Sequence, residues 1–121
     1  MGTISNFTDL DIWKRAHELT MVVYKLVGQF PASERYALSD QLRRAVVSIE
    51  SNIAEGFARY GKLEKRQFYY IARGSLSEVN CQLIIARDLG FLSQLQYDQA
   101  NTLIVDTGRM FTAIIKRIQT W

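Results

Sequence analysis

The sequence predicts an all-α protein, an antiparallel up-and-down four-helix bundle. Apolar residues recur at alternating steps of three and four, and the stretches between turn signals are long. Breakers are scarce: one Pro and seven Gly in 121 residues leave few places for the turns a β fold needs. Hydrophobic residues make up 48% and charged residues 22% of the chain, as in a folded globular protein rather than a disordered one. The length fits one domain with one core, spanning residues 1–121.

Helix one is expected over residues 9–29. Thr8 is placed to cap it, with Asp11 three residues on and Phe7 available to staple against Ile12. Ile12, Ala16, Leu19, Val23, Leu26 and Phe30 then form a heptad seam. Phe30-Pro31 ends it, because a residue before proline is pushed out of the α region.

Helix two is expected over 33–59, capped by Ser33. Its stripe of Leu38, Leu42, Ala45, Val46, Ile49, Ile53 and Phe57 is wider than a two-helix seam requires. Helix three, over 62–89, carries Phe68, Ala72, Leu76, Val79, Leu83 and Ala86, and Gly90 suits the left-handed residue just past its end. Ser93 opens helix four, over 93–119, whose seam is Tyr97, Ala100, Ile104, Thr107, Phe111, Ile114 and Ile118. At about 1.5 Å per residue each helix spans roughly 30 to 40 Å. Short turns between rods of that length force an up-and-down bundle.

Several function classes lack their residues. The single histidine, His17, and single cysteine, Cys81, fall short of a zinc site or a di-metal carboxylate set. No metal or cofactor is therefore expected. Ser48, Ser51 and Ser75 have no base and oxyanion donor at catalytic spacing, and GSLSE (74–78) lies inside a helix rather than in a phosphate-cradling loop. The reading is non-enzymatic. A lone thiol gives no sign of an oxidising compartment. MGTISNFTDLD has neither the basic nor the apolar region of a signal peptide. Gly2 matches the start of a myristoylation signal, but Asn6 stands where Ser or Thr is wanted. No apolar run reaches the roughly 18 residues of a membrane span. A cytoplasmic protein with no membrane partner is expected.

Two clusters carry what chemistry there is. In QLRRAVVSIESNIAEGFARY (41–60), Ser48, Ser51, Asn52 and Glu55 sit beside apolar positions. Gly56 and Gly74 fall inside helices, where glycine costs about 1 kcal/mol relative to alanine unless close approach requires it. With Ala45, Ser48 and Ser75 they predict close helix contact. Asn52, Glu55 and Arg44, where buried, would need partners such as Arg73 or Glu78. This polar stripe reads as a packed contact, within the bundle or between subunits.

The second cluster is ARYGKLEKRQFYYIARG (58–74). It sets Arg59, Lys62, Lys65, Arg66 and Arg73 against Glu64 alone, interleaved with Tyr60, Phe68, Tyr69 and Tyr70. The net charge of the chain is only +3, so its basic character is concentrated there. Cations with exposed rings suit RNA or single strands, whereas an ordinary solvated helix face would look similar in composition.

Three stretches resemble a known family: LDIWKRAHELTMVVYKLVGQFP (10–31), ERYALSDQLRRAVVSIESNIAEGFAR (34–59) and ARGSLSEVNCQLIIARDLGFL (72–92). They are similar to the four-helix bundle proteins encoded in intervening sequences of bacterial 23S ribosomal RNA, in order along almost the whole chain. The most specific part is QLRRA, SI and NIAEG followed by GSL and Glu78. The resemblance implies a bundle that assembles into a homopentameric ring, in a family whose molecular role is poorly defined. More distantly, the chain is similar to the accessory protein of diversity-generating retroelements, a pentamer that binds nucleic acid and a reverse transcriptase. Carried onto this chain, the family pattern marks Trp13, Ala16, Phe30, Pro31, Glu34, Gln41, Arg43, Arg44, Ala45, Ser48, Asn52, Ala54, Glu55, Gly56, Gly74, Ser75 and Glu78. Many members have a proline where this chain has Glu50, so helix two is expected to keep a backbone N–H there and to run straighter.

The leading reading is a non-enzymatic, ring-forming scaffold for structured RNA, ribosomal or related. Arg59, Lys62, Lys65, Arg66 and Arg73 would make its backbone contacts, with Arg43 and Arg44 as lesser candidates. Ser48, Asn52, Glu55, Gly56, Gly74, Ser75 and Glu78 are the structural and assembly candidates. The alternative is a protein–protein adaptor, such as the accessory subunit of a reverse transcriptase, whose basic face docks an acidic partner.

Overall fold

The computed structural model describes residues 3–119 and contains four α-helices: α1 (Asp11–Val27), α2 (Leu38–Phe57), α3 (Lys62–Asp88) and α4 (Gln94–Gln119). Gly2 lies outside the described residues. Each helix packs on its neighbours in sequence, and α1 closes the bundle against α4. Pairs such as Thr20 with Val46 and His17 with Glu50 run in opposite directions along α1 and α2, as up-and-down packing requires. Among the described residues no strand occurs.

The termini of the first two helices differ from expectation. Asn6, not Thr8, makes the cap, and it caps a 3-10 turn over Phe7–Asp9. Its Oδ1 accepts the Thr8 N–H at 3.0 Å, while Asp9 Oδ2 accepts the Asn6 N–H at 3.1 Å. This turn takes up the chain before α1 starts at Asp11. Phe7 meets Trp13 edge-on, with ring centroids 5.4 Å apart. After Pro31 a second 3-10 turn, Ala32–Glu34, occupies the place assigned to the start of helix two. Ala37 has non-helical dihedrals, so α2 begins only at Leu38 and Ser33 does not cap it.

The later termini match their sequence signals. Gly90 has φ 83°, and it ends α3 in a Schellman motif: Phe91 N–H donates to Ala86 O at 2.8 Å and Gly90 N–H to Arg87 O at 3.0 Å. Ser93 and Gln96 form a reciprocal capping box at the start of α4, through bonds of 3.1 and 2.8 Å.

The predicted seams of α1 and α2 are buried, except that Phe57 is only partly so. Two seam positions in the other helices shift by one residue. Tyr69 rather than Phe68 enters the core, because 69, 72, 76, 79, 83 and 86 keep the alternating steps through the first turn of α3. Ile115 likewise replaces Ile114 in α4, leaving Ile114 half-buried. Gln82 and Thr20 are buried polar residues beside these seams. The Thr20 hydroxyl donates to the Ala16 carbonyl at 3.1 Å.

Glycines divide by what surrounds them. A Cβ on buried Gly56 would stand 3.2 Å from Phe68 Cβ and 3.4 Å from the Lys65 carbonyl oxygen, so α2 and α3 touch backbone to backbone there. At Gly108 the nearest neighbour would be Leu76 Cδ2, at an ordinary 3.7 Å. Urea unfolding should therefore separate them. Gly56→Ala is expected to lose about 1 kcal/mol through overpacking, and Gly108→Ala to gain up to about 1 kcal/mol in helix propensity.

Candidate nucleic-acid interface

The polar stripe of α2 forms a real network, but a small one. Ser48 Oγ lies 3.0 Å from Ser75 Oγ, joining α2 to α3 where small side chains let the helices approach. Asn52 Nδ2 donates to the Ser48 carbonyl at 2.8 Å and to its hydroxyl at 3.1 Å. The three side chains are half-buried. The hydroxyl pair and amide satisfy one another, as polar groups leaving water must.

The charged members find partners four residues away in the chain rather than across to Arg73 or Glu78. Glu55 is exposed and pairs with Arg59 at 3.0 Å. Arg44 pairs with Asp40 at 3.2 Å. Glu78 is exposed and accepts from Gln82 Nε2 at 3.1 Å, while Gln82 Oε1 is buried with no partner among the described residues. The sequence overestimated how deeply these groups sit, because residues one step off the seam of a bundle helix stay wet. A Cβ on Gly74 would meet nothing within 4 Å. The bundle's own packing therefore does not require that glycine, unlike Gly56.

The basic cluster divides by what each cation already does. Lys65 Nζ donates to the carbonyls of Gly56 at 2.9 Å and Phe57 at 3.1 Å, capping α2 with a positive charge at the negative end of its dipole. Burial at this site lowers the Lys65 pKa from the usual lysine value. Arg59 lies 4.9 Å over the Phe68 ring. Arg73 lies 5.2 Å over the Tyr70 ring, whose hydroxyl accepts from Gln119 Nε2 at 3.1 Å. Lys62 is exposed and Arg66 half-buried, beside the fully exposed ring of Tyr60 at the α2–α3 turn. Arg43, the lesser candidate, reaches back to the Arg35 carbonyl at 3.5 Å. The α2–α3 end thus gathers Arg59, Lys62 and Arg66, with Arg73 about two turns further along α3.

A sequence model described as 23S rRNA-intervening sequence protein matches residues 8–113. The chain belongs to that family. A crystal structure of a protein of unknown function from the S23 ribosomal protein family of Bacteroides thetaiotaomicron has the same fold, with a TM-score of 0.80. Its sequence is 19% identical, and the match covers 87% of this chain and 95% of that one. No curated protein matches. The match to the family explains why the resemblance was legible over nearly the whole chain.

Glu50 has a specific use here. Its carboxylate, only 15% exposed, lies 3.1 and 3.3 Å from His17 Nδ1. An ionised carboxylate only accepts, so Nδ1 carries the proton. The imidazole also stacks on Trp13, with centroids 4.8 Å apart. Helix α2 runs unbroken through Glu50, and the pair ties α1 to α2. Sequence reading missed it, since spacing along one helix says nothing about a carboxylate on the next.

Among the described residues no group of three or more His, Cys, Asp and Glu could hold a metal ion. Nor is any helix among them long and apolar enough to cross a membrane.

Stability measurements should resolve these roles. Asn52→Ala is expected to lose about 1 kcal/mol, leaving Ser48 short of a donor, whereas Glu55→Ala should change urea unfolding by no more than about 0.5 kcal/mol. Lys65→Ala should cost about 1 kcal/mol by exposing the end of α2, with the loss located by amide exchange at Gly56 to Ala58.

Proposed function

We propose that the protein is a non-enzymatic, cytoplasmic scaffold that assembles into a ring and binds structured RNA, ribosomal or related, through its basic surface. The observation that carries the RNA reading is the set of exposed or half-exposed cations at and beyond the α2–α3 turn. Among the described residues, Lys62 and Arg66 have no hydrogen-bond or ion-pair partner, and Tyr60 stands open beside them. Membership of a family encoded in ribosomal RNA intervening sequences supports the choice of RNA. Lysine and arginine neutralise phosphates, and duplex RNA offers shape and backbone rather than base edges.

Assembly is supported by two different exposed apolar surfaces. Met21, Tyr24 and Val47 lie on the α1–α2 side, and Ile71, one turn before the open Gly74, and Ile85, three turns after it, are exposed on α3. Contact between unlike surfaces is heterologous, and it closes into a ring when the rotation between copies allows. A homopentamer, as the family resemblance implies, is the proposed state.

Fluorescence anisotropy with a labelled RNA stem tests the first part. Binding should fall steeply between about 50 and 200 mM salt, and the triple variant Arg59→Glu, Lys62→Glu, Arg66→Glu should abolish it. Wild-type protein that fails to bind at low salt overturns the RNA reading and turns the search to an acidic protein partner. Light scattering tests the second part: Ile71→Glu is expected to convert the assembly to monomers while leaving helical content unchanged.

A further inference from the structure

The helix with no assigned role is α4. Between it and α3 runs an open groove of about 510 Å³, lined by Arg73, Ser77 and Asn80 on one wall and by Gly108, Arg109 and Thr112 on the other. Val105 adds an exposed apolar patch. No carboxylate lines this groove. Glu78 is occupied by Gln82. Asp106 shares the flank of α4 that carries Met110 and Arg117, which line a separate cavity with Asp11 and Ile12 of α1. The groove is therefore cationic with nothing inside it to neutralise it.

We propose that this groove holds a phosphate of an RNA backbone, clamped between Arg73 and Arg109. The proposal rests on the RNA-binding reading and gives it a site. Arg109 is exposed and has no hydrogen-bond or ion-pair partner among the described residues. Arg73 is engaged only through the face of its guanidinium, over Tyr70, so its N–H groups stay available for paired bonds to a phosphate. Asn80 Oδ1 accepts the Tyr97 hydroxyl at 2.7 Å, which leaves the Asn80 amide N–H groups as the free donors. The Thr112 hydroxyl already donates to the Gly108 carbonyl at 3.1 Å, so Ser77 is the hydroxyl free to donate.

Gly108 forms the floor. Packing does not demand a glycine there, and helix propensity disfavours one; its effect is to keep the groove open down to the backbone. Cations continue from the clamp toward the α2–α3 end. Arg66 precedes Arg73 by two turns on α3, and Lys116 follows Arg109 by two turns on α4, each about 10 Å along the axis. A strand lying in the groove would meet the turn cluster of Lys62 and Arg59 next.

The test is anisotropy of a labelled RNA hairpin carrying a single-stranded arm, titrated with wild type, Arg109→Gln, Gly108→Gln and the control Lys25→Gln. Arg109→Gln is expected to weaken binding about five- to tenfold and to reduce the slope of log affinity against log salt by about one. Gly108→Gln, which fills the floor with both arginines intact, should weaken binding with no loss of helical circular dichroism. Lys25→Gln, on α1, should leave affinity as it is. Wild-type affinity and slope in both groove variants, alongside loss of binding in the α2–α3 turn variant, would overturn the groove and leave the RNA reading standing. Absence of binding by wild type itself would remove both.

Discussion

Everything on the α2–α3 side of this bundle depends on how closely the two backbones approach at Gly56. Without a Cβ there, Phe68 and the first turn of α3 lie directly on α2. That approach brings Lys65 within reach of the last carbonyls of α2, so its ammonium adds to the backbone cap in which the Arg59 N–H donates to the Gly56 carbonyl at 3.2 Å. It buries Tyr69, whose hydroxyl pKa is raised by the loss of solvent. It also sets the height at which Ser48 and Ser75 meet further along the pair. A larger residue at position 56 would move all of these together, because they share one rigid contact.

The same contact sorts the cations by their surroundings. Close to Gly56, lysine is drawn into the fold and its charge is held by carbonyls. A turn or two away, Lys62, Arg66 and Arg73 remain on the surface, where a charge loses little hydration and keeps its hydrogen-bond donors for a ligand. Arg109 on α4 joins them only because antiparallel packing brings the middle of α4 alongside Arg73. The basic surface is thus a product of register, two helices contributing one wall each. The polar network of Ser48, Asn52 and Ser75 sits on the opposite flank of α3 and serves packing, apart from the surface proposed to bind RNA.

The sequence determined the four helices, their order and most of the core, because periodicity and terminators act locally. Gly90 and Ser93 could be read directly, since a left-handed residue and a reciprocal cap are properties of four or five consecutive residues. The starts of α1 and α2 could not: short 3-10 turns compete with regular helix by small energies, and long-range packing selects between them. The one-residue shifts to Tyr69 and Ile115 have the same origin, since two neighbouring apolar residues satisfy the pattern equally until a partner helix chooses one.

The candidate site was legible as composition and not as geometry. Arginines and lysines between 59 and 73 stand out in the sequence, but only the tertiary structure decided that Lys65 caps α2 while Lys62 and Arg66 stay free. The pairing of Glu50 with His17, the open surface at Gly74 and the groove that sets Arg109 opposite Arg73 were beyond reach of any reading along the chain. Each depends on side chains 33 or more residues apart, or on what fails to come near. Local preferences fix the rods; the register in which the rods pack fixes which charges meet, and that register is set by contacts spread over the whole bundle.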